Sequence, residues 1–167
     1  MEEENNSTNN KIEQLIDHGT ILDWARFYYF DLGWHILPGY KGEKHSYLER
    51  KGTVHEFERY DWEFLENEFS KPGVTNILLV TGKISGVTVV DLDLHKQGTE
   101  KSIYITEELP QAPTSITPGG GKHKFYSFAK EFRDLLGIEG CIDIRNNGLI
   151  VLPPSINKEG KAYAWDI

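Results

Sequence analysis

Two carboxylates set two residues apart at the end of an apolar stretch, Asp91 and Asp93, are the strongest chemical signal in the chain. On a strand, residues i and i+2 share a face and lie roughly 6.6 Å apart, two rises of ~3.3 Å. Acids placed this way suit hard divalent cations, and a two-metal phosphoryl-transfer site holds its ions about 3.5–4 Å apart. A solvated acidic turn at a strand end would carry the same pair. A second signal is Gly119, Gly120 and Gly121 running into Lys122 and His123. Glycines let backbone amides approach a phosphate, the lysine adds positive charge, and His123 can donate to a triphosphate oxygen. A hairpin turn beside a half-exposed histidine would read the same. In the third segment Asp143 and Arg145 alternate with Ile142 and Ile144. With the isoleucines facing a core, the acid and the guanidinium share the other face. That supplies a third carboxylate for metals or for activating a hydroxyl, beside a cation suited to phosphate. An i, i+2 ion pair on a wet sheet face is the plainer alternative.

The elements that must position these residues follow from periodicity. Ile12, Leu15 and Ile16 have helical spacing from Lys11 onward, and Gly19 ends that helix, while residues 1–10 read as a disordered tail. Thr20 and Asp23 form a shortened capping box for a second helix through Trp24, Phe27, Tyr28 and Leu32, stopped by Gly33. A short strand over 34–37 leads into a basic loop carrying Lys41, Lys44, Arg50 and Lys51, the expected nucleic-acid contacts. An acidic helix follows, with Trp62, Leu65 and Phe69 inward and Glu63, Glu66 and Glu68 outward. Strands are expected over 76–81 and 87–92, a crossover helix over 99–107, and extended segments over 114–117, 122–128 and 163–165. Asn146, Asn147 and Gly148, between the apolar runs 142–144 and 149–152, signal a hairpin.

A chain of 167 residues with 38% hydrophobic and 12% aromatic content is long enough for one domain with a real core, taken as 11–167. No apolar run approaches the ~20 residues that cross a bilayer, and the acidic N-terminus is not a secretory signal, so no membrane partner is expected. One cysteine, Cys141, leaves no internal disulfide or cysteine-rich zinc site and points to a reducing, cytoplasmic location. The formal charge of -8 is unusual for a nucleic-acid binder, but the acids concentrate in the tail and the acidic helix. The ending at Trp165, Asp166 and Ile167 reads as a cut at a domain edge.

The order and spacing of the three segments carry a resemblance. Residues 76–93 (NILLVTGKISGVTVVDLD) resemble the first block of the bifunctional DNA primase/polymerase family of the archaeo-eukaryotic primase superfamily. Residues 113–126 (PTSITPGGGKHKFY) and 143–155 (DIRNNGLIVLPPS) are similar to its second and third blocks. The stretch 33–38 (GWHILP), the lysines after it, and 163–165 (YAW) resemble the flanking segments. The resemblance implies an α+β fold: an RRM-like mixed or antiparallel sheet packed with a smaller N-terminal α/β unit, and an active site in the cleft between them. It implies template-directed joining of NTPs or dNTPs with two Mg²⁺ or Mn²⁺ ions and no structural zinc. Asp91, Asp93 and Asp143 match the metal-binding acids, and His123 matches the histidine on the incoming nucleotide's phosphates. Lys122, Arg145 and the amides of the 119–121 loop are added on physical grounds as triphosphate contacts. Expected partners are nucleotides, a single-stranded or primed DNA template, and a fused or associated helicase or helical priming module.

Gly121 departs from the superfamily pattern, where the position two before the histidine is often serine. A phosphatase built on Asp-x-Asp fits poorly, since His95 stands where threonine or valine is wanted and no later Gly-Asp-x-x-x-Asp motif follows. The rival from another class is an inactive RRM-like module that binds single strands by stacking bases on Phe125 and Tyr126.

Overall fold

The structure, a computed structural model, describes residues 2–49, 51–52, 57–93 and 99–166. Helix α1 (Glu2–His18) lays Ile12 and Leu15 on the core as their spacing predicts, but its backbone is helical from Glu2. Extending an existing turn costs far less than starting one, so the polar residues ahead of Lys11 continue the anchored helix rather than forming the expected tail. In α2 (Ile21–Arg26) the capping box is present. The Asp23 N–H donates to Thr20 Oγ1 at 3.2 Å, and the Thr20 N–H donates to the Asp23 carboxylate at 2.9 Å. A π-helical turn, Phe27–Asp31, extends α2 up to Gly33.

Strand β1 (Ile36–Tyr40) follows, then a two-stranded pair, β2 (Lys51–Gly52) with β3 (Phe57–Glu58). Helix α3 (Trp62–Phe69) is capped by Asp61, whose carboxylate accepts from the Phe64 N–H. Leu65 and Phe69 are buried as predicted, but Glu68 is not outward. It is buried, and Lys71 Nζ meets its carboxylate at 2.6 Å, neutralising the charge that periodicity assigned to solvent.

The remaining elements are β4 (Val74–Val80), β5 (Val87–Leu92), α4 (Glu100–Glu108), β6 (Thr114–Ile116), β7 (Lys122–Ser127), β8 (Leu135–Ile138), β9 (Ile142–Arg145), β10 (Leu149–Leu152) and β11 (Ala164–Trp165). They divide between two antiparallel sheets, ordered β1-β4-β10 and β11-β6-β7-β5-β9-β8. In the larger sheet β5 and β6 run parallel with β7 inserted between them and α4 as the crossover. This is the split βαβ arrangement of RRM-like sheets.

The 146–148 segment is not the predicted hairpin. Its flanking strands pair away from each other, β9 with β5 and β8, β10 with β4. The side chain of Asn146 is buried, donates to the Ala129 and Phe132 carbonyls and receives the Thr88 hydroxyl, while Asp134 Oδ1 accepts from the Asn146 and Asn147 N–H groups. These bonds hold the chain in a crossing from one sheet to the other. Gly82, at φ +99, makes the matching crossing between β4 and β5, where a Cβ would stand 2.2 Å from the Asn146 carbonyl oxygen. The smaller layer is consequently not purely N-terminal: it takes β1 and β4 from the first half and β10 from the second.

The main core lies between the layers. Trp24, Phe27 and Tyr28 from the second helix meet Ile36, Ile77, Leu79 and Leu152 of the small sheet and Val87, Val89 and Phe125 of the large one. Tyr28, Trp34 and Phe125 form a continuous stack with centroids 5.6 and 5.5 Å apart, closed by Trp165. The Tyr28 hydroxyl donates to the Pro153 carbonyl and accepts from the Trp165 indole N–H.

Candidate active site

The face of the large sheet that supplies Val89 and Phe125 to the core turns polar toward the other end of the same strands. Strand β5 sits between β7 and β9, and the register pairs Asp91 with His123 on one side and with Asp143 on the other. Directly opposite residues of antiparallel strands point the same way, so the acid–histidine–acid row is a product of register. Val89 likewise pairs with both Phe125 and Arg145, which places Arg145 one step along the row.

Asp91 is mostly buried, and its Oδ1 has no hydrogen-bond donor and lies 3.6 Å from His123 Nε2. Burial, then the charges of Asp93 and Asp143, push its pKa up to about 6 against the pull of Arg145 and Lys44. Burial, then Lys44, depress His123 to about 4 despite Asp93, so its imidazole is neutral at neutral pH. The Val151 backbone carbonyl beside the ring also favours its protonated form, while Nδ1 is buried with no well-formed hydrogen bond. Asp143 is committed: Oδ1 accepts from the Gly137 N–H at 2.6 Å and Oδ2 from Arg145 at 2.9 Å. The plain i, i+2 ion pair is therefore present in the row, and the Arg145 Nε remains buried and unpartnered beside it.

Two cavities open on this row. One, of about 290 Å³, is walled by Lys44, Asp91, Asp93, Thr117, Gly119 and His123, with Lys158 and Tyr163. The other, of about 320 Å³, is walled by Lys44, His45, Asp91, His123, Arg145, Leu149, Ile150, Val151 and Tyr163. Lys44, Asp91, His123 and Tyr163 border both. A larger hollow of about 530 Å³ between α1 and the second helix has none of these residues in its wall.

The structure thus gathers Asp91, Asp93, His123, Gly119, Arg145 and Lys44 around one trough. Lys122 is not gathered there. It pairs with Leu92, on the face opposite His123, and its ammonium reaches Asp166 at 3.3 Å. Gly120 shapes the loop at φ +83 and is absent from both cavity walls. At Gly121 a Cβ would stand 2.6 Å from the Leu92 carbonyl oxygen, so the position where serine was missed has no room for a side chain. Thr117 Oγ1 instead accepts from the Gly121 N–H and borders the cavity. Lys41 lies beside Gly160, away from the acids, while Arg50 and the Lys51 side chain fall outside the described residues. Tyr163, read from the sequence as part of a last strand and of a flanking segment with no role assigned, is the wall residue that reading missed. The β10–β11 connection brings it in from another part of the chain.

The donor set suits a hard cation in two respects: its atoms are carboxylate oxygens, and Asp91 keeps a buried oxygen without a donor beside two other negative charges. Among the described residues no three Asp, Glu, His or Cys side chains are grouped closely enough to hold a metal ion, and Asp143 is bound to Arg145. The stacking platform of the rival reading does not form. Phe125 is buried between Trp34 and Trp165, and Tyr126 lies on the α4 side with its hydroxyl on the Pro110 carbonyl.

Sheet order defines an α+β domain built on a split βαβ sheet, with a polar row at one end of its central strands. The family model for the N-terminal domain of bifunctional DNA primases/polymerases matches residues 25–166, and the chain belongs to that family. No curated protein matches the chain. Membership associates it with primase- and polymerase-type nucleotidyl transfer. No helix among the described residues is long and apolar enough to cross a membrane.

Proposed function

We propose that the chain is a template-directed nucleotidyltransferase that joins NTPs or dNTPs as a DNA primase, a DNA polymerase or both. The observation that carries this reading is the register that sets Asp91 between His123 and Asp143 on one face of the sheet. Asp91 and Asp93 would hold two Mg²⁺ or Mn²⁺ ions, with Asp143 joining them once Arg145 turns to a phosphate. When bound, such ions supply charge neutralisation for the triphosphate and an acidified hydroxyl. His123, neutral and buried in the wall of the trough, donates to a phosphate oxygen without adding a charge of its own. Arg145, Lys44 and the amide of Gly119 meet the remaining anionic oxygens. The core below excludes water from one side of the trough, which strengthens each of these contacts. A DNA template along the basic loop, a helicase or helical priming module as partner, and a cytoplasmic setting complete the reading.

The test is extension of primed and unprimed single-stranded templates with labelled NTPs or dNTPs in Mg²⁺ or Mn²⁺. Asp91→Asn and Asp93→Asn should each abolish product while circular dichroism and melting show a folded protein. Undiminished extension by the folded double variant would refute the assignment.

A further inference from the structure

Tyr163 is 7% exposed, packed beside Leu37, Leu78, Val80 and Val151, with its ring centroid 6.0 Å from that of His123. Its backbone N–H is bound to the Ser155 carbonyl, but among the described residues its hydroxyl has no hydrogen-bond partner. A tyrosine this buried normally places its hydroxyl on a protein group. The oxygen here is left for whatever enters the trough, because the residue forms part of both cavity walls.

The two cavities differ in chemistry. The first combines Lys44, Lys158, Gly119 and the paired acids, a setting for phosphates and their counterions. The second adds the aliphatic run Leu149, Ile150 and Val151 beside His45, a wall for a base, with Arg145 near the Asp91 that it shares with the first cavity. The four shared residues mark the junction, and in a nucleoside triphosphate the group between phosphates and base is the sugar. Three of the four are charged or imidazole groups suited to cation and phosphate, which leaves the phenol.

Resting on the nucleotidyl-transfer reading above, we propose that Tyr163 faces the sugar of the incoming nucleotide and sets the choice between ribo- and deoxyribonucleotides. The hydroxyl provides a donor and acceptor for a sugar hydroxyl, and so acts on the one atom by which the two substrate classes differ.

The experiment is direct titration of wild type and Tyr163→Phe with GTP and dGTP in Mg²⁺, read by calorimetry, with melting curves to confirm the fold. Phenylalanine keeps the ring and its packing. The expected result is a change of about three- to tenfold in the GTP/dGTP affinity ratio, the worth of one hydrogen bond. An unchanged ratio, whether both affinities fall together or neither moves, would assign the hydroxyl to phosphate or to no ligand and overturn the inference. Failure of wild type to bind either nucleotide would overturn the nucleotidyl-transfer reading, and this one with it.

Discussion

Asp91 and His123 face each other with opposite displacements, and each has a consequence for pH. Asp91 binds its proton more tightly folded, at about 6, than its ordinary value of 3.8. Its contribution to stability is whole below pH 3.8 and is lost as the pH rises through about 6. His123 runs the other way, from 6.5 to about 4, so its contribution is whole above pH 6.5 and is lost as the pH falls toward 4. Over the shared range the two slopes oppose, and the wild-type protein should show little net dependence from this pair. Asp91→Asn removes one side. At pH 7.5 the metal-free variant should be more stable than wild type, on the order of 2 kcal/mol, and the gap should close near pH 4. Chemical denaturation at both pH values checks this, and a gap of constant size would show that the Asp91 carboxylate is not strained by its neighbours. Substituting the histidine tests the other partner. His123→Ala should weaken nucleotide binding about ten- to a hundredfold, the loss of a hydrogen bond to a charged group, with a smaller effect on template binding. Equal affinity of wild type and variant in a nucleotide titration would make His123 a packed sheet residue and nothing more.

At the scale of elements, the row depends on how closely the glycine loop lies against the end of β5. The Gly121 N–H is held by Thr117 Oγ1, the Thr117 N–H by the Gly121 carbonyl, and the Leu92 carbonyl presses on the Gly121 Cα. The Asp93 N–H in turn donates to the Cys141 carbonyl, so the strand end carrying both acids is clasped between the loop and β9. Gly121→Ala inserts a methyl group against backbone that no rotamer change can relieve. A loss of about 1–3 kcal/mol is expected, as for other overpacked sites, together with displacement of Asp93. Urea denaturation gives the first quantity. A variant as stable as wild type would mean that β7 slides freely along β5, contrary to the register described. Clasps of this kind do for the site what rigid supporting shells do elsewhere: they fix carboxylates near geometry that a cation can use.

Over the whole molecule, a net charge of -8 must coexist with a polyanionic template. Among the described residues, the cations that border the trough are Lys44, Arg145 and Lys158, with Lys41 beside Gly160. With only about three to five phosphates neutralised, log K for single-stranded DNA should fall against log salt with a slope near -2 to -4, at ~0.7 per phosphate. Replacing Lys41 and Lys44 together by alanine should flatten that slope by about 1.4 if both touch the template. A change of about 0.7 would leave only one of the two on the template. No change at all would place the template path off this loop.

The sequence by itself determined which residues are candidates for the chemistry and most of the elements that hold them. Asp91 and Asp93 after an apolar run, the glycines before His123, and the capping box of Thr20 and Asp23 are local patterns. Each is legible because its physics involves neighbours a few residues apart. Family membership was legible for the same reason, since order and spacing along the chain carry it. What only the tertiary structure decided is long-range. The hairpin signal at Asn146–Gly148 was overridden because Asn146 finds partners at Thr88, Ala129 and Phe132, and their bonds send β10 into the other sheet. Lys122 and His123 look equivalent in sequence, yet the two-residue period of a strand sends one to Asp166 and the other to Asp91. Asp143 was readable as an acid, but its capture by Arg145 and Gly137 depends on rotamers and on the β8–β9 irregularity. Tyr163 enters the site through packing on Leu37, Leu78, Val80 and Val151 of the small sheet, a contact between segments whose sequences carry no mark of each other. Local sequence encodes torsion, caps and periodicity, whereas strand pairing and side-chain burial are set by the energy of the assembled whole.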